Sequence, residues 1–214
     1  MPRDDFYASP FGVAFSTYME RPWLSRLIAR LLWGADVSPY YESMAAIGAV
    51  PVGGTVVDCP CGAGPALMAL SPRQQVRYFA FDLSPSMLRR AEKKIRDRGL
   101  PQVELANADA TALPLPDGSA DLFLSYWGLH CFDDPAAALE EAARVLKPGG
   151  RLVGSAILAG RDSRRQRLLV KADRGDFGNP GTEEEVVAWL RSAGFAEPHL
   201  QRSGPMLYFD AQLS

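Results

Sequence analysis

A short apolar run that ends in an aspartate leads directly into a glycine-containing turn. The run is Thr55–Asp58, and the turn that follows it carries Cys59, Gly62 and Gly64. Glycine has no Cβ, so a ligand is able to approach the backbone closely, and the N–H groups that open the next helix are free to bind it. Because many turns contain a Gly-x-Gly pair, the motif alone favours a binding role and a structural role about equally.

A second aspartate strengthens the binding interpretation. Asp82 ends the next apolar run, 18 residues after Gly64, where an acidic side chain accepts hydrogen bonds from both hydroxyls of a ribose. The dinucleotide-binding version of this turn needs a third glycine, and this chain has Leu67 there. Pro65 also removes a backbone donor that a pyrophosphate would use. The spacing therefore predicts a nucleoside cofactor without phosphates and argues against a nicotinamide-dependent oxidoreductase.

Alternating strand and helix patterns position these residues. Strands are predicted at residues 55–58, 78–81, 102–106, 121–125 and 151–158, with room for two more after residue 197. Helices are predicted from about Ala66, after Ser84, from Asp134 to Lys147–Gly150, and after Thr182. This order is typical of repeated βα units around a mostly parallel sheet.

Four segments fall in the order and at the spacing of a known family. They are Val57–Gly64, Phe81–Met87, Asn107–Ala110 and Arg144–Gly150. Together they resemble the class I S-adenosylmethionine-dependent methyltransferases, in the subgroup of ubiquinone and menaquinone biosynthesis, over about residues 52–195. The resemblance implies an α/β, Rossmann-like doubly wound sheet of seven strands in the order 3-2-1-4-5-7-6, with strand 7 antiparallel. It also implies S-adenosyl-L-methionine as cofactor and S-adenosyl-L-homocysteine as product.

The same resemblance implies a cofactor-binding role for ten residues. Asp58, Gly62 and Gly64 would surround the methionine part, Asp82 the ribose, Leu83 and Met87 the adenine, Asp109 and Ala110 the adenine amino group, and Ser125 the sulfonium side; Cys59, in the same turn, completes the set. The sequence departs from the family at Pro60, where a glycine is usual, so the turn must accommodate the fixed φ of proline.

Methyl transfer from a sulfonium is an in-line displacement in which the enzyme mainly aligns the reactants and excludes water. His130 follows the fourth strand, where its side chain is able to face the acceptor and take a hydroxyl proton near neutral pH. Packing and hydrogen bonding at the mouth of the site is the alternative role. The candidate acceptor-binding residues are Phe15, Tyr18, Tyr41, Tyr126, Trp127 and Arg165.

Two additions to the βα pattern are expected to lie near the acceptor. Residues 1–50 are rich in aromatic side chains and predict an N-terminal helical cap or lid over a methyltransferase domain at 51–214. A basic insertion at 160–181 interrupts the step from the fifth strand to the next helix. Aromatic residues at helical spacing are most often core, so most of those in the cap are assigned to packing.

Composition limits the remaining possibilities. The 214 residues are 47% hydrophobic and 22% charged, as in ordinary globular domains, and the net charge of -2 gives no field that gathers polyanions. We therefore expect no nucleic-acid partner. No stretch is long enough to span a membrane, and residues 1–10 lack the apolar region of a secretory signal, so a cytoplasmic location is expected. The cysteine spacing favours neither a disulfide nor a zinc site, and no metal is predicted.

The resulting prediction is a methyltransferase that acts on oxygen or carbon of a small lipophilic, aromatic or sugar-like acceptor, as a monomer or homodimer. The alternative from another class is a non-catalytic homologue that binds the cofactor as a sensor or scaffold. Cofactor binding without turnover on any acceptor favours that alternative.

Overall fold

A computed structural model describes residues 18–158 and 181–214. Within these ranges the α-helices are α1 (Pro22–Ile28), α2 (Ser38–Ser43), α3 (Pro85–Arg98), α4 (Pro135–Val145) and α5 (Glu183–Ser192). The strands are β1 (Thr55–Asp58), β2 (Arg77–Asp82), β3 (Val103–Asn107), β4 (Ala120–Tyr126), β5 (Leu146–Ile157), β6 (His199–Ser203) and β7 (Met206–Gln212). A π-helical turn, Ala29–Trp33, continues α1, and short 3₁₀ turns lie at Met44–Ala49, Ala66–Ala69 and Leu129–Cys131. Phe15 and Arg165 lie outside the described residues, as does most of the predicted insertion.

The strands form one sheet in the order β3-β2-β1-β4-β5-β7-β6. Strands β1 to β5 are parallel, and β7 runs antiparallel to both β5 and β6. This confirms the predicted seven-stranded order. Because parallel strands share their carboxyl ends, the residues that follow β1, β2, β3 and β4 meet along one edge of the sheet.

The central strands are apolar on both faces because helices or loops cover each face. All four residues of β1 are buried, and its side chains alternate between two core clusters. Val57 and Phe123 belong to one cluster, and Val56 and Leu122 belong to the other. The core therefore has two layers, one on each side of the sheet, and both hold the central strands rigidly.

Helix starts coincide with the predicted capping residues. The Ser84 hydroxyl accepts a hydrogen bond from the Met87 N–H at the start of α3, and the Asp134 carboxylate accepts one from Ala137 at the start of α4. Thr182 opens α5 with a reciprocal capping box. These side chains satisfy N–H groups that have no partner inside the helix, so they define where each helix begins.

Two predicted boundaries were wrong. The helix predicted from Ala66 is one 3₁₀ turn, since Leu70 is already extended and Pro72 disfavours helical geometry in the residue before it. The segment Lys147–Gly150 does not separate α4 from the fifth strand, because β5 begins at Leu146, immediately after α4. The sheet accommodates this early start through a register irregularity between β4 and β5.

The described part of the N-terminal region, residues 18–50, is helical and packs on the sheet. The Tyr208 hydroxyl of β7 donates a hydrogen bond to the Asp36 carbonyl at 2.9 Å, and Tyr40 of α2 is fully buried. None of the helices in the described ranges combines the length and the apolar character needed to cross a bilayer.

Candidate active site

A cavity of about 400 Å³ opens at the carboxyl edge of the sheet. Its walls come from the loops after β1, β2, β3 and β4, together with part of the N-terminal region. The order of strands reverses between β1 and β4, and open α/β sheets bind ligands in the crevice at this type of reversal. The fold alone therefore makes this edge the candidate active site.

Asp82, at the end of β2, connects the glycine turn to the start of α3. Its Oδ2 accepts a hydrogen bond from the Gly62 N–H at 2.8 Å, and its Oδ1 accepts one from the Ser84 N–H at 2.8 Å. A carboxylate oxygen has more than one acceptor site, so these contacts leave capacity for ligand hydroxyls. The side chain is thus held at the cavity wall in a defined orientation.

Two glycines allow the loops around the cavity to pack closely. Gly64 has a φ of +72°, and a Cβ added there would lie 2.6 Å from the Leu67 side chain. A Cβ at Gly128, after β4, would lie 2.6 Å from both the Pro60 ring and the Ser125 hydroxyl. A larger residue at Gly128 would push the loop after β4 away from the turn after β1, and a larger residue at Gly64 would displace Leu67 within that turn.

The side of the cavity next to β2 and β3 combines exposed apolar surface with a carboxylate. Leu83 is 56% exposed, and Met87 and Ala110 line the wall beside it. The Asp109 Oδ1 accepts hydrogen bonds from the N–H and the hydroxyl of Thr111, which hold its pKa below the usual range. Asp109 is therefore ionised at neutral pH, and this wall suits a flat, mostly apolar group that carries a hydrogen-bond donor.

The opposite side of the cavity is an aromatic wall. The Tyr40 ring packs against Tyr126 at 5.0 Å and against Trp127 at 5.7 Å between ring centroids. Burial raises the pKa of Tyr40 well above its usual range. The nearby Trp127 N–H lowers this pKa by less than burial raises it, although its geometry does not meet that of a hydrogen bond to the tyrosine hydroxyl. In the part of the chain that the structure describes, the Tyr40 hydroxyl and the Trp127 indole nitrogen have no hydrogen-bond partner.

Three residues predicted to touch the cofactor are not among the described residues that line the cavity. Asp58 is 1% exposed and accepts a hydrogen bond from the Tyr78 hydroxyl at 2.8 Å, and burial raises its pKa to about 7. Ser125 is buried beneath Gly128, and Gly64 packs on Leu67. Their visible role is to support the turn and the loop that form the wall.

His130 does not have the position that a general base requires. Its Nδ1 accepts a hydrogen bond from the Ile157 N–H at 3.2 Å, and burial lowers its pKa to about 3. Among the described residues, the next two along the chain, Cys131 and Phe132, line the cavity, whereas His130 does not. The hypothesis that His130 takes a proton from the acceptor is therefore at odds with the structure, which favours the alternative packing role.

The cavity brings together most of the predicted residues and several that the sequence did not single out. The predicted residues that line it are Cys59, Gly62, Asp82, Leu83, Met87, Asp109, Ala110, Tyr126 and Trp127. The lining residues that were missed include Met19, Glu20, Tyr40, Cys131, Phe132 and Asp133. Of these, residues 131–133 were recognisable as the end of the loop after the fourth strand. The Tyr41 hydroxyl donates to the Met19 carbonyl at 2.7 Å, and neither Tyr41 nor Tyr18 belongs to the wall within the described ranges.

Comparison with known proteins agrees with this geometry. Residues 57–154 match the family model of a methyltransferase domain. Over 99 residues the chain is 40% identical to a demethylmenaquinone methyltransferase of Thermus thermophilus, covering 46% of this chain and 44% of the relative. Over 147 residues it is 33% identical to an uncharacterized chloroplastic methyltransferase of Arabidopsis thaliana, covering 65% and 40%. A solved SAM-dependent methyltransferase from Aquifex aeolicus is similar with a TM-score of 0.64 and 25% identity, over 87% of this chain and 93% of the other.

The sheet order and the position of the cavity are those of Rossmann-like α/β proteins. Within that class, residues 57–154 match a methyltransferase-domain family, and the chain is similar to S-adenosylmethionine-dependent methyltransferases and to demethylmenaquinone methyltransferases, in agreement with the predicted family and subgroup. The sheet order confirms the predicted fold, and these similarities support S-adenosylmethionine as the cofactor. The chain spans less than half the length of these two curated relatives, so their names do not define its reaction or its acceptor.

Proposed function

We propose that this protein is an enzyme that transfers the methyl group of S-adenosylmethionine to a small-molecule acceptor. The observation that carries the proposal is one continuous cavity, which runs from Leu83 and Asp109 on one side to Tyr40 and Trp127 on the other. It has room for a nucleoside part at the β2–β3 side and for a reacting centre beside the aromatic wall.

The residues present fit the cofactor in chemistry and in order. In this proposal Asp82 accepts hydrogen bonds from the ribose hydroxyls, and Leu83 with Asp109 binds the adenine ring and its amino group; all three residues line the cavity. The methionine part then lies towards β1 and β4. The turn after Pro65 is a single 3₁₀ turn, so this position has no long helix whose N-terminus would bind a pyrophosphate. This supports a phosphate-free cofactor over a dinucleotide.

When bound, the cofactor supplies an activated methyl group, so the protein's main contribution is to orient the acceptor and exclude water. Tyr40, Tyr126 and Trp127 form a wall in which each ring is fixed by its neighbours. The Tyr126 hydroxyl is further held by the Ser43 hydroxyl at 3.0 Å. Aromatic faces attract cations, so this wall suits the positively charged sulfonium side of the cofactor as well as an apolar acceptor.

The position of His130 narrows the proposed acceptor class. Among the described residues, no histidine or lysine lines the cavity. The carboxylates that line it include those of Glu20 and Asp133. A sugar hydroxyl holds its proton tightly and needs a base with a pKa near the working pH. We therefore favour an aromatic or lipophilic acceptor whose reacting oxygen or carbon is itself acidic, such as a phenol or an enol.

Residues 1–50 act, in this proposal, as the cap over the domain at 51–214. Met19, Glu20 and Tyr40 contribute to the cavity wall. The Lys94 ammonium of α3 joins this region to the glycine turn, because it lies 2.8 Å from the Glu20 carboxylate and donates to the Gly64 carbonyl at 3.1 Å. A shift of the N-terminal region would therefore be felt at the cofactor turn.

Calorimetric titration tests the cofactor part of the proposal. We expect wild-type protein to bind S-adenosylmethionine and S-adenosylhomocysteine but not NAD. Asp82→Asn should weaken binding about 10- to 100-fold, as expected for lost charge-assisted hydrogen bonds. Asp97→Asn is the matched control, because Asp97 is exposed on α3 and pairs only with Lys93 in the described structure. Thermal unfolding of each variant separates a lost contact from a lost fold.

Turnover tests the enzymatic part. Release of S-adenosylhomocysteine with a panel of phenols, quinols and sugars should occur with phenolic or quinol acceptors first. Binding of the cofactor without turnover on any of them would favour the sensor or scaffold alternative. Binding of NAD in place of both sulfur nucleosides would overturn the proposal as a whole.

A further inference from the structure

In the helical segment Pro22–Trp33 the fully buried side chains are small, whereas four of the large apolar side chains are exposed. Ser25 and Ala29, one helical turn apart, are its buried positions. Trp23, Leu27, Leu31 and Leu32 are 66%, 49%, 61% and 45% exposed, and we call these four residues the outward apolar face. A surface helix normally does the reverse, so this face is a candidate interaction surface.

Positive charge borders the outward apolar face. Arg21, directly before the segment, and Arg26 and Arg30 within it are exposed, and the sequence contains no acidic residue from Arg21 to Ala35. The whole chain has a net charge of -2, so this is a local concentration that opposes the overall charge. An apolar strip that contains tryptophan and is bordered by arginines matches an anionic lipid surface in both hydrophobicity and sign.

The segment is also firmly attached beside the cavity. The Arg26 guanidinium donates to the Ser38 hydroxyl at 3.0 Å and lies 5.8 Å from the centre of the Tyr41 ring. Met19 and Glu20, which lie three and two residues before the segment, line the cavity. A surface that docks through this helix would therefore lie close to the cavity wall.

We propose that Pro22–Trp33 docks the protein peripherally on anionic lipid bilayers. A second copy of the chain is a poorer occupant, because a two-fold contact through this face would bring arginines against arginines. A peptide is also a poorer occupant, since the exposed side of a single helix is convex and offers no groove. The docking does not depend on methyl transfer, although it would place the cavity near lipophilic acceptors dissolved in the bilayer.

Vesicle flotation with the full chain tests the proposal. We expect the wild type to float with phosphatidylcholine vesicles that contain phosphatidylglycerol and to float weakly with phosphatidylcholine alone. Leu27→Gln combined with Leu31→Gln should lower partitioning more than about tenfold, because both side chains lose burial in lipid. The matched control is Val52→Gln with Met68→Gln, since Val52 and Met68 are 80% and 50% exposed outside the segment.

A charge series provides the second measurement. Arg21→Gln and Arg30→Gln should each lower partitioning onto anionic vesicles by about fivefold, and added salt should have the same direction of effect. The control pair, Arg73→Gln with Arg89→Gln, removes two exposed charges elsewhere. Calorimetry with S-adenosylhomocysteine should give wild-type affinity for every variant, so failure of docking and failure of cofactor binding remain distinguishable.

Two results would overturn the proposal. One is wild-type protein that does not float with anionic vesicles, or floats equally well after the double leucine substitution. The other is sedimentation showing a stable dimer that Leu27→Gln with Leu31→Gln dissociates, which would assign the outward apolar face to self-association.

Discussion

Asp58 is a buried acid, and its replacement by asparagine should change how the stability of the protein depends on pH. The carboxyl group is 1% exposed and lies beneath the glycine turn. Burial raises its pKa to about 7 despite the hydrogen bond from the Tyr78 hydroxyl, and the nearby Asp82 carboxylate acts in the same direction as burial. Asparagine keeps an oxygen that accepts the tyrosine hydrogen bond but never carries the charge.

The sign and size of the effect follow from proton linkage. The ordinary pKa of 3.8 rises to about 7 in the fold, so the folded protein holds a proton that the unfolded chain releases. The contribution of Asp58 is therefore most favourable below about pH 4, declines between about pH 4 and 7, and is constant above that range. A shift of about three units at 1.36 kcal/mol per unit corresponds to about 4 kcal/mol.

Urea unfolding of wild type and Asp58→Asn across this pH range measures the effect. The quantity to compare is the unfolding free energy of the variant minus that of the wild type. This difference should be up to about 4 kcal/mol more positive above about pH 7 than at about pH 4. Other carboxylates have lowered pKa values, among them Asp121 and Glu141, and give the opposite pH slope. They cancel in the difference between the two proteins, and Asp97→Asn serves as an exposed control.

A difference in stability that does not vary with pH would refute this reasoning. It would mean that Asp58 is ionised in the folded protein throughout the range, with its charge compensated by a partner. A bound ligand would also change this pH dependence. A cationic group of a ligand near Asp58 would lower the pKa of the carboxyl group and so reduce the change of unfolding free energy with pH.

Substitutions at three further positions test other parts of the structure. Gly64→Ala should destabilise the fold by about 1–3 kcal/mol in urea unfolding, because its φ of +72° and the Leu67 contact both oppose a side chain; wild-type stability would contradict the close packing. His130→Gln should cost about 1–3 kcal/mol while leaving the pH dependence of turnover unchanged, and a shifted pH profile would restore its role as a base. Thr182→Ala should cost about 1 kcal/mol by removing the capping box of α5, whereas Thr182→Ser should retain most of the stability.

Elements with strong local signals were predictable from the sequence. Ser84, Asp134 and Thr182 start helices because each side chain accepts a hydrogen bond from the N–H group three residues further on, which is a purely local interaction. The order of the strands came from resemblance to a family, since pairing between distant strands leaves no comparable local mark. The carboxyl-edge positions of Asp82 and Asp109 followed directly from that order.

Several features that the sequence did not predict depend on the direction in which a single side chain points. Tyr40 and Tyr41 are adjacent in a six-residue helix, too short for its apolar period to show which one faces the cavity. His130 lies in the expected loop, but its side chain turns to the Ile157 N–H of a strand 27 residues away. The helix predicted from Ala66 is only one 3₁₀ turn, because Pro72 opposes helical geometry more strongly than the helix propensity of the preceding residues favours it.

The antiparallel strand β7 has a consequence for how this chain matures on a ribosome. Strand β6 reaches the sheet only through β7, which lies between β5 and β6 although it follows both in sequence. During synthesis, β6 therefore has no neighbouring strand until β7 follows it. In the interval between synthesis of β5 and of β7, the edge of β5 that will later pair with β7 is open to pairing with other chains.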